Sequence, residues 1–214
     1  MPTFITLEGP EGAGKTVHAR RLAEELTTLG HQVRLTREPG GTDLGEQVRA
    51  LVLARTEPGS PIEPRADALL FNAARAQLVE AVIRPALAAG EVVVCARFAD
   101  STLAYQGYGS GLPLDELRAI ARIATGGLEP DRTILLDLPP EVGLARKTND
   151  ARNRFESAFD LAFHRRVRDG FLELARSQPD RWRVVDADRT MDAVFADVLA
   201  AARSTLDGGE RPAA

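Results

Sequence analysis

The segment from residue 9 to residue 16 combines the residue types that bind the phosphates of a nucleoside triphosphate. It reads Gly-Pro-Glu-Gly-Ala-Gly-Lys-Thr, which satisfies the pattern G-x-x-x-x-G-K-[ST] between an apolar strand and a predicted helix. Glycines let successive backbone N–H groups converge on phosphate oxygens, and the helix N-terminus adds positive potential. The predicted nucleotide-binding residues are Gly9, Pro10, Glu11, Gly12, Ala13, Gly14, Lys15 and Thr16.

Two members of this phosphate loop have side chains suited to the chemistry of phosphates. We expect Lys15 to reach the outer phosphates and Thr16 to ligate Mg²⁺. A tight strand-to-helix turn without a ligand is the alternative, and the complete match in its structural context disfavours it. The loop predicts a triphosphate donor and says nothing about the acceptor.

Polar segments also follow two further strands of the predicted sheet. The first, residues 36–42, reads Thr-Arg-Glu-Pro-Gly-Gly-Thr and places Arg37 where it could meet an anion, although a purely structural turn would explain the Pro-Gly-Gly part. The second, residues 96–107, is polar and rich in hydrogen-bond donors, and we expect it to form a loop after the third strand. Ligands of parallel α/β sheets bind at the carboxyl ends of strands, so both segments are candidate acceptor-binding sites.

Phe71 and Arg75 lie one helical turn apart in a predicted helix and therefore share a face. An aromatic plane beside a guanidinium suits a base that must be both stacked and hydrogen-bonded. Burial of Phe71 in the core is the alternative, since phenylalanine is most often buried. The neighbouring Arg75 on the same face favours the binding role.

Residues 146–156 form a basic, turn-forming stretch between two predicted helices. In a phosphoryl-transfer enzyme, such a stretch would be a lid that delivers guanidinium groups over the transferred phosphate and excludes water. An exposed charged loop is the alternative. The three histidines, His18, His31 and His164, are scattered, and we expect them on helix or loop surfaces.

Short apolar runs alternate with longer amphipathic segments along the chain. This pattern predicts an α/β fold with a parallel five-stranded sheet covered by helices on both faces. The longest helix pattern covers residues 65–89, where Pro85 should kink the last turns and Gly90 should end the helix. The expected organisation is one domain over residues 1–207, with the lid at about 146–156 and a flexible tail from 208 to 214.

The composition excludes several classes of protein. The 214 residues carry 27 Lys+Arg against 31 Asp+Glu, a net charge of −4, which argues against a nucleic-acid-binding protein. Cys95 is the single cysteine, so no intramolecular disulfide can form. No apolar run reaches about 18 residues, so we expect no membrane segment. The expected compartment is the cytoplasm.

The chain resembles the thymidylate kinases (dTMP kinases) from Phe4 to about Ala187, and the form of the phosphate loop resembles the bacterial type. Five matching pieces occur in the same order, which is more specific than any one of them. They are Phe4–Thr16, Thr36–Thr42, Leu69–Gln77, Arg97–Gln106 and Arg154–Ala175. The resemblance implies a P-loop nucleoside monophosphate kinase fold, transfer of a phosphoryl group from ATP to dTMP, a Mg²⁺ cofactor and a homodimer.

The resemblance also implies roles for individual residues. Glu11 would lie near the 3′-hydroxyl of the acceptor sugar, and Arg37 and Arg97 would hold the acceptor phosphate. Phe71 would stack on thymine, and Arg75 would hydrogen-bond the carbonyl edge of the base. Ser101, Tyr105 and Gln106 would line the sugar and base pocket, where Tyr105 would disfavour a 2′-hydroxyl. The catalytic residues implied are Lys15, Arg97, Arg152 and Arg154.

The chain departs from the family pattern at two positions. Members normally carry Asp immediately before the arginine at the end of the third strand, and this chain has Ala96. That carboxylate is the expected outer-sphere partner of Mg²⁺. Asn153 stands where the bacterial lid usually has Asp. Two alternatives to a dTMP kinase therefore stay open: another nucleoside monophosphate kinase, and a catalytically silent nucleotide-binding homologue.

Overall fold

A five-stranded parallel sheet forms the centre of the molecule. The computed structural model describes residues 2–54, 62–146, 154–155 and 159–208. Its strands are β1 (Thr3–Glu8), β2 (Val33–Arg37), β3 (Val92–Ala96), β4 (Arg132–Asp137) and β5 (Trp182–Asp186). They lie in the order β2-β3-β1-β4-β5, and all neighbouring pairs are parallel. The α/β fold predicted from the alternation of apolar runs is confirmed.

Helices cover both faces of this sheet. In chain order they are α1 (Lys15–Thr28), α2 (Asp43–Leu53), α3 (Pro64–Leu78), α4 (Arg84–Ala88), α5 (Ala99–Thr102), α6 (Leu114–Thr125), α7 (Pro140–Ala145), α8 (Leu161–Ser177) and α9 (Met191–Asp207). Alternate strand residues point to opposite faces. Ile5 and Val94 therefore pack with α1 and α9, whereas Phe4 and Val93 pack with residues at the end of α3.

The long helix predicted for residues 65–89 is interrupted. A π-helical turn, Val79–Ile83, separates α3 from α4, and the N–H of Arg84 bonds to the carbonyl of Val79. Pro85 has no N–H, and its ring crowds the carbonyl four residues earlier, so the backbone widens before it. The predicted kink at Pro85 thus takes the form of a π turn.

The polar segment after β3 was expected to be a loop, and this expectation is wrong. It forms α5 followed by a π helix, Leu103–Gly109. Its polar side chains pair inside the protein: Asp100 accepts two hydrogen bonds from Arg181, at 2.7 and 3.0 Å, and Gln106 donates to Asp67 at 3.0 Å. A polar helix with buried partners is indistinguishable from a loop by hydropathy alone.

Two glycines bring α7 directly against the phosphate loop. A Cβ atom on Gly143 would lie 2.0 Å from the carbonyl oxygen of Glu11, and one on Gly12 would lie 2.1 Å from the carbonyl oxygen of Gly143. Gly12 also has a φ of +74°, which favours glycine. The two backbones are therefore in contact with no side chain between them.

Parts of the predicted organisation lie outside the described residues. They include Arg152 and Asn153 of the lid, and the tail from residue 209 onward. The domain boundaries stay a prediction. Across the described ranges, the structure contains no helix with both the length and the apolar character needed to cross a bilayer.

Candidate active site

A cavity of about 360 Å³ lies at the carboxyl ends of the central strands. This volume is within the range of small-molecule sites, about 300 to 1,000 Å³. The sequence-predicted residues that line it are Glu11, Gly12, Gly14, Lys15, Thr16, Arg37, Phe71, Arg75, Arg97, Ser101, Tyr105 and Gln106. The structure thus brings together residues from four separate sequence segments.

The phosphate loop forms one wall of the cavity. Gly12 and Gly14 have positive φ angles of 74° and 87°, and Gly14 precedes the first turn of α1. Lys15 is buried, and its Nζ donates to the carbonyl oxygens of Gly9 and Pro10 at 3.0 and 2.7 Å. The ammonium group is therefore held over the loop, where donor phosphates would lie.

Glu11 links the phosphate loop to the opposite wall. One oxygen of its carboxylate, Oε1, accepts from Nη2 of Arg97 at 2.5 Å and from the hydroxyl of Tyr105 at 2.9 Å. Burial raises the pKa of Tyr105 well above its usual value, so its phenol stays protonated and donates. Tyr105 in turn accepts from Arg97 at 3.2 Å. The three side chains form one hydrogen-bonded group at the boundary of the two walls.

Arg97 has a left-handed backbone conformation, with a φ of +72°. A residue other than glycine pays about 1 to 3 kcal/mol for such a conformation and keeps it only when the surroundings impose it. Here the N–H of Arg97 donates to the carbonyl of Leu7 at 2.9 Å, and the thiol of Cys95 donates to the carbonyl of Arg97 at 3.0 Å. In this backbone conformation the guanidinium of Arg97 contacts Glu11 and lines the cavity.

Two more arginines give this part of the cavity its positive charge. Arg37 contacts both carboxylate oxygens of Glu46, at 2.9 and 3.1 Å, and is about half exposed. Arg49, which sequence reasoning did not single out, donates to the carbonyl of Pro39 at 2.9 Å and also lines the cavity. Burial and the charge of Arg37 lower the pKa of Arg49, which is the expected effect of cations gathered at an anion site.

Arg75 is almost completely buried and is held by a carboxylate. Its Nε and Nη2 donate to Glu38, with Nη2 at 2.7 Å, and Nη2 also donates to the carbonyl of Phe98 and the hydroxyl of Thr102. Nη1 donates to Asn72 at 2.8 Å. An arginine has five N–H donors. Counted over the described residues, one hydrogen on Nη1 is left for a ligand in the cavity.

The aromatic part of the cavity lies beside Arg75. Phe71 is half-buried, lines the cavity and lies 6.1 Å from the ring of Phe155. The amide nitrogen of Gln106 donates one of its two hydrogens to Asp67, so among the described residues its carbonyl oxygen and its second N–H are left to meet a ligand. Thr102, whose hydroxyl accepts from Arg75, also lines the cavity.

Arg154 occupies a different place from the one expected of a lid arginine. It is only 3% exposed and does not line the cavity. Its Nη2 donates to Asp67 at 2.6 Å, and its Nε donates to the carbonyl of Val52 at 2.9 Å. A role at the transferred phosphoryl group stays a prediction, and it requires Arg154 to leave Asp67. Arg152 lies outside the described residues.

Ala96 ends β3 in register with Leu7 of β1 and Arg37 of β2, and it lines the cavity. A side chain at this position therefore faces the cavity. Asp137, the acidic residue that ends β4, accepts two hydrogen bonds from Arg168, at 2.7 and 2.8 Å. Arg168 thus occupies both oxygens of the carboxylate that ends β4.

We expected all three histidines on helix or loop surfaces, and for two of them this expectation is wrong. His18 is 3% exposed and its ring stacks on Phe195, while His164 is 1% exposed and packs against Phe163. Burial lowers the pKa of both, which keeps them neutral at physiological pH. They act as core residues.

Sequence reasoning missed the acidic residues that hold the site together. Glu8, Glu38 and Asp67 are each buried, and each accepts hydrogen bonds from a residue of the cavity wall or from its neighbours. A charged residue that ends or follows an apolar strand was the available signal for Glu8 and Glu38. Asp67 gives no such signal, because it lies on an ordinary amphipathic helix.

Comparisons with known proteins agree on one family. Residues 7–198 match the family model described as thymidylate kinase. The thymidylate kinase of Deinococcus radiodurans is 55% identical over 199 residues, which cover 92% of this chain and 95% of that protein. The thymidylate kinase of Thermomicrobium roseum is 50% identical over 213 residues, with 99% of each chain covered.

A solved structure gives the same result for the fold. The crystal structure of thymidylate kinase from Ehrlichia chaffeensis superimposes with a TM-score of 0.74 at 33% identity. The match covers 93% of this chain and 97% of that one. Similarity therefore extends over most of this chain.

Proposed function

The chain belongs to the thymidylate kinase family, and from this premise we propose that it transfers the γ-phosphoryl group of ATP to dTMP, giving ADP and dTDP. The observation that carries the proposal is a single cavity with two anion-binding walls. The phosphate loop with Lys15 forms one wall, and Arg97 with Arg37 forms the other. Two phosphorylated substrates can therefore meet within it.

The reaction needs charge and alignment more than proton transfer. A phosphate oxygen of dTMP attacks the γ-phosphorus, a new P–O bond forms, and the bond to the bridging oxygen of ADP breaks. The second pKa of a phosphate monoester is about 6, so the attacking group is largely ionised at neutral pH and no general base is required. Lys15, Arg37 and Arg97 offset the repulsion between the two polyanions and stabilise charge on the moving group.

Arg75 and Phe71 account for a preference for thymine. One remaining donor on Nη1 of Arg75 matches one carbonyl oxygen of a pyrimidine, whereas the exocyclic amino group of cytosine would face it with a second donor. Glu38 fixes the plane of the guanidinium, because Nε and Nη2 of Arg75 both donate to its Oε2 and Nε also donates to its Oε1. Phe71 offers a ring on which a base can stack.

Mg²⁺ fits the donor set as an ion carried by the nucleotide. The chain offers the hydroxyl of Thr16 at the start of α1, while the two carboxylates that line the cavity, Glu11 and Glu38, are engaged by arginines. Mg²⁺ typically keeps several waters and binds through substrate phosphates with few protein ligands. Thr16 would hold the ion, which would neutralise charge on the β- and γ-phosphates.

A coupled assay of ADP release with a panel of nucleoside monophosphates tests the proposed function. Release with dTMP as the preferred acceptor supports it. Release with another monophosphate in preference to dTMP would identify a different nucleoside monophosphate kinase. Binding of ATP and dTMP without release would identify a catalytically silent homologue.

The acceptor pocket is expected to prefer thymine and deoxyribose. Calorimetric titration with dTMP, UMP, dCMP and dGMP should give the tightest binding for dTMP, because Tyr105 crowds the 2′ position and Arg75 reads a carbonyl. Arg75→Ala should weaken dTMP by about 1.5 to 3 kcal/mol, the range for hydrogen bonds to charged groups. Glu80→Ala, which removes an exposed partner of Arg84 away from the cavity, is the control. Equal affinity for dTMP and dGMP would contradict this assignment.

Ala96→Asp is expected to raise kcat by about 10 to 100-fold if it restores a carboxylate that orients water on Mg²⁺, the range seen for outer-shell partners of metals. Affinity for ATP and dTMP should change little, because the phosphate loop does not depend on this side chain. The comparison is kcat for the two chains across a Mg²⁺ titration. An Asp variant that is no faster at any Mg²⁺ concentration shows that another group already performs this role.

We also propose that the protein is a homodimer and that it is located in the cytoplasm. Exposed apolar side chains on two neighbouring helices support the dimer: Leu69 on α3 is 58% exposed and Ile123 on α6 is 81% exposed. Burial of such apolar side chains against a second copy of the chain would be favourable, because it removes them from water.

A further inference from the structure

Glu8 is a buried carboxylate directly behind the acceptor wall of the cavity. It is the last residue of β1, it is 0% exposed, and it precedes the first glycine of the phosphate loop. Its Oε1 accepts from the backbone N–H of Phe98 at 2.7 Å, and its Oε2 accepts from the hydroxyl of Ser101 at 2.6 Å. Both donors belong to the segment that carries Arg97.

These two hydrogen bonds act on Arg97 from two sides. The N–H of Phe98 is the peptide group that follows the strained backbone of Arg97, whose φ is +72°. The hydroxyl of Ser101 accepts from Nη1 of Arg97 at 3.2 Å while it donates to Glu8. One carboxylate thus fixes both the main chain and the guanidinium orientation of Arg97.

We propose that Glu8 is a positioning residue for the acceptor phosphate, because its two hydrogen bonds hold Arg97 in the orientation that binds this phosphate. The proposal rests on the proposed function, since it assigns Arg97 to that phosphate. Glu8 has no exposed surface and does not line the cavity, so it acts through Arg97 and touches neither substrate.

The charge of Glu8 matters for the direction of the Ser101 hydrogen bond. An ionised carboxylate can only accept, so the hydroxyl hydrogen of Ser101 points to Glu8 and its lone pairs face Arg97. A glutamine, or a protonated Glu8, can donate to the hydroxyl oxygen of Ser101 instead. That donor would compete with Arg97 for the same oxygen, and the orientation of the guanidinium would be less defined.

Several neighbouring groups shift the pKa of Glu8. Burial, followed by the charge of Asp100, raises the pKa of Glu8 to about 7 against the opposing effects of Ser101, Arg97 and the N–H of Phe98. Arg181 neutralises Asp100 from the other side, and the buried thiol of Cys95 also faces this group. Both forms of Glu8 are therefore accessible in the pH range of an ordinary kinase assay.

The test compares Glu8→Gln with Asp131→Asn as a matched control. Asp131 also accepts a backbone N–H of β1, from Phe4 at 2.8 Å, but at the opposite end of the strand. Glu8→Gln should lower kcat/KM for dTMP by about 10-fold, by analogy with the lower end of the effect of residues that orient metal ligands. KM for ATP should change less than twofold, and the control should keep all constants of the unmodified chain.

A pH series separates positioning from a merely structural role. Glutamine mimics protonated Glu8, so the ratio of kcat/KM for dTMP between the unmodified chain and Glu8→Gln should fall toward 1 as the pH decreases from 8 to 6. The dTMP phosphate titrates equally with both proteins and cancels in this ratio. The raised pKa of Glu8 means that its contribution to stability is present at low pH and is lost as the pH rises through about 7.

The activity ratio and the difference in Tm should therefore move in opposite directions with pH. A kcat/KM ratio that stays constant across the series, or that follows the difference in Tm, overturns the proposal. If Glu8→Gln does not fold, Ser101→Ala removes the hydroxyl that relays the contact and should lower kcat/KM for dTMP with the ATP constants retained; an unchanged value overturns the proposal. An unmodified chain that does not phosphorylate dTMP would instead contradict the proposed function.

Discussion

Replacing Arg97 by alanine is expected to lower kcat/KM for dTMP by about 10³-fold, by analogy with the removal of a guanidinium that stabilises a transferred phosphoryl group. Arg97 donates to Glu11, Ser101 and Tyr105, which fix its orientation in the cavity. The alanine variant loses the charge at the acceptor phosphate and the contacts that preorganise it. Steady-state kinetics with dTMP as the varied substrate, at saturating ATP, give the value.

Two further variants at this position separate charge from geometry. Arg97→Lys keeps the charge and the strained backbone but loses the planar fork, so its activity should lie between those of the alanine variant and the unmodified chain. Arg97→Gly relieves the left-handed backbone and should be more stable than Arg97→Ala by about 1 kcal/mol. A lysine variant with full activity would show that a point charge is sufficient at this position.

Alanine at Arg152 or Arg154 is expected to reduce kcat much more than it weakens dTMP binding, and at least one of the two variants should lose about 10³-fold in kcat. The reason is that a lid guanidinium is needed when the phosphoryl group moves. Rates and calorimetric affinities are measured on both variants, with Arg165→Ala on the exposed face of α8 as the control. Unchanged turnover in both variants would exclude a catalytic role for these two arginines.

Arg154→Ala has a second expected consequence, which arises from its ion pair with Asp67. Breaking a buried pair by removing one partner costs about 3 to 5 kcal/mol, because the other charge stays buried. Burial already raises the pKa of Asp67, so the variant should regain stability as the pH falls and Asp67 becomes protonated. Chemical denaturation at pH 5 and pH 8 measures this, and kinetics must be recorded at a temperature where the variant is folded.

The double variant Asp67→Asn with Arg154→Ala distinguishes the two effects. It removes the uncompensated charge and should recover most of the stability, whereas a catalytic defect due to Arg154 should persist. Recovery of full turnover in the double variant would assign Arg154 a structural role only.

The sheet and the donor side of the site could be predicted from the sequence because their signals are local. Apolar strand-length runs alternate with amphipathic helices, and the residues from Gly9 to Thr16 carry their own turn geometry and charge. Phe71 and Arg75 were placed on one face by helix periodicity alone, and both line the cavity. Such patterns require no knowledge of distant contacts.

The rest of the site could not be predicted, because it depends on ion pairs between residues that are distant in the sequence. Glu38 meets Arg75, Asp67 meets Arg154, and Asp100 meets Arg181, so three acids to which hydrophobic periodicity assigns no place in the core are buried ion-pair partners. Asp100 lies in α5, the helix that stands where we expected a loop after β3. Sequence periodicity reports burial only for apolar side chains, and a paired buried charge leaves no such signal.

The contact between Gly12 and Gly143 restricts which sequences can keep this arrangement. Any side chain at position 143 would overlap the carbonyl oxygen of Glu11, whose own side chain holds Arg97 and Tyr105. Even alanine would force the phosphate loop and α7 apart by about 1 Å or more, since Cβ contacts below 3.0 Å do not persist. In homologues with α7 in this position, both sites should therefore be glycine, and a substitution at either one should occur together with a displaced α7.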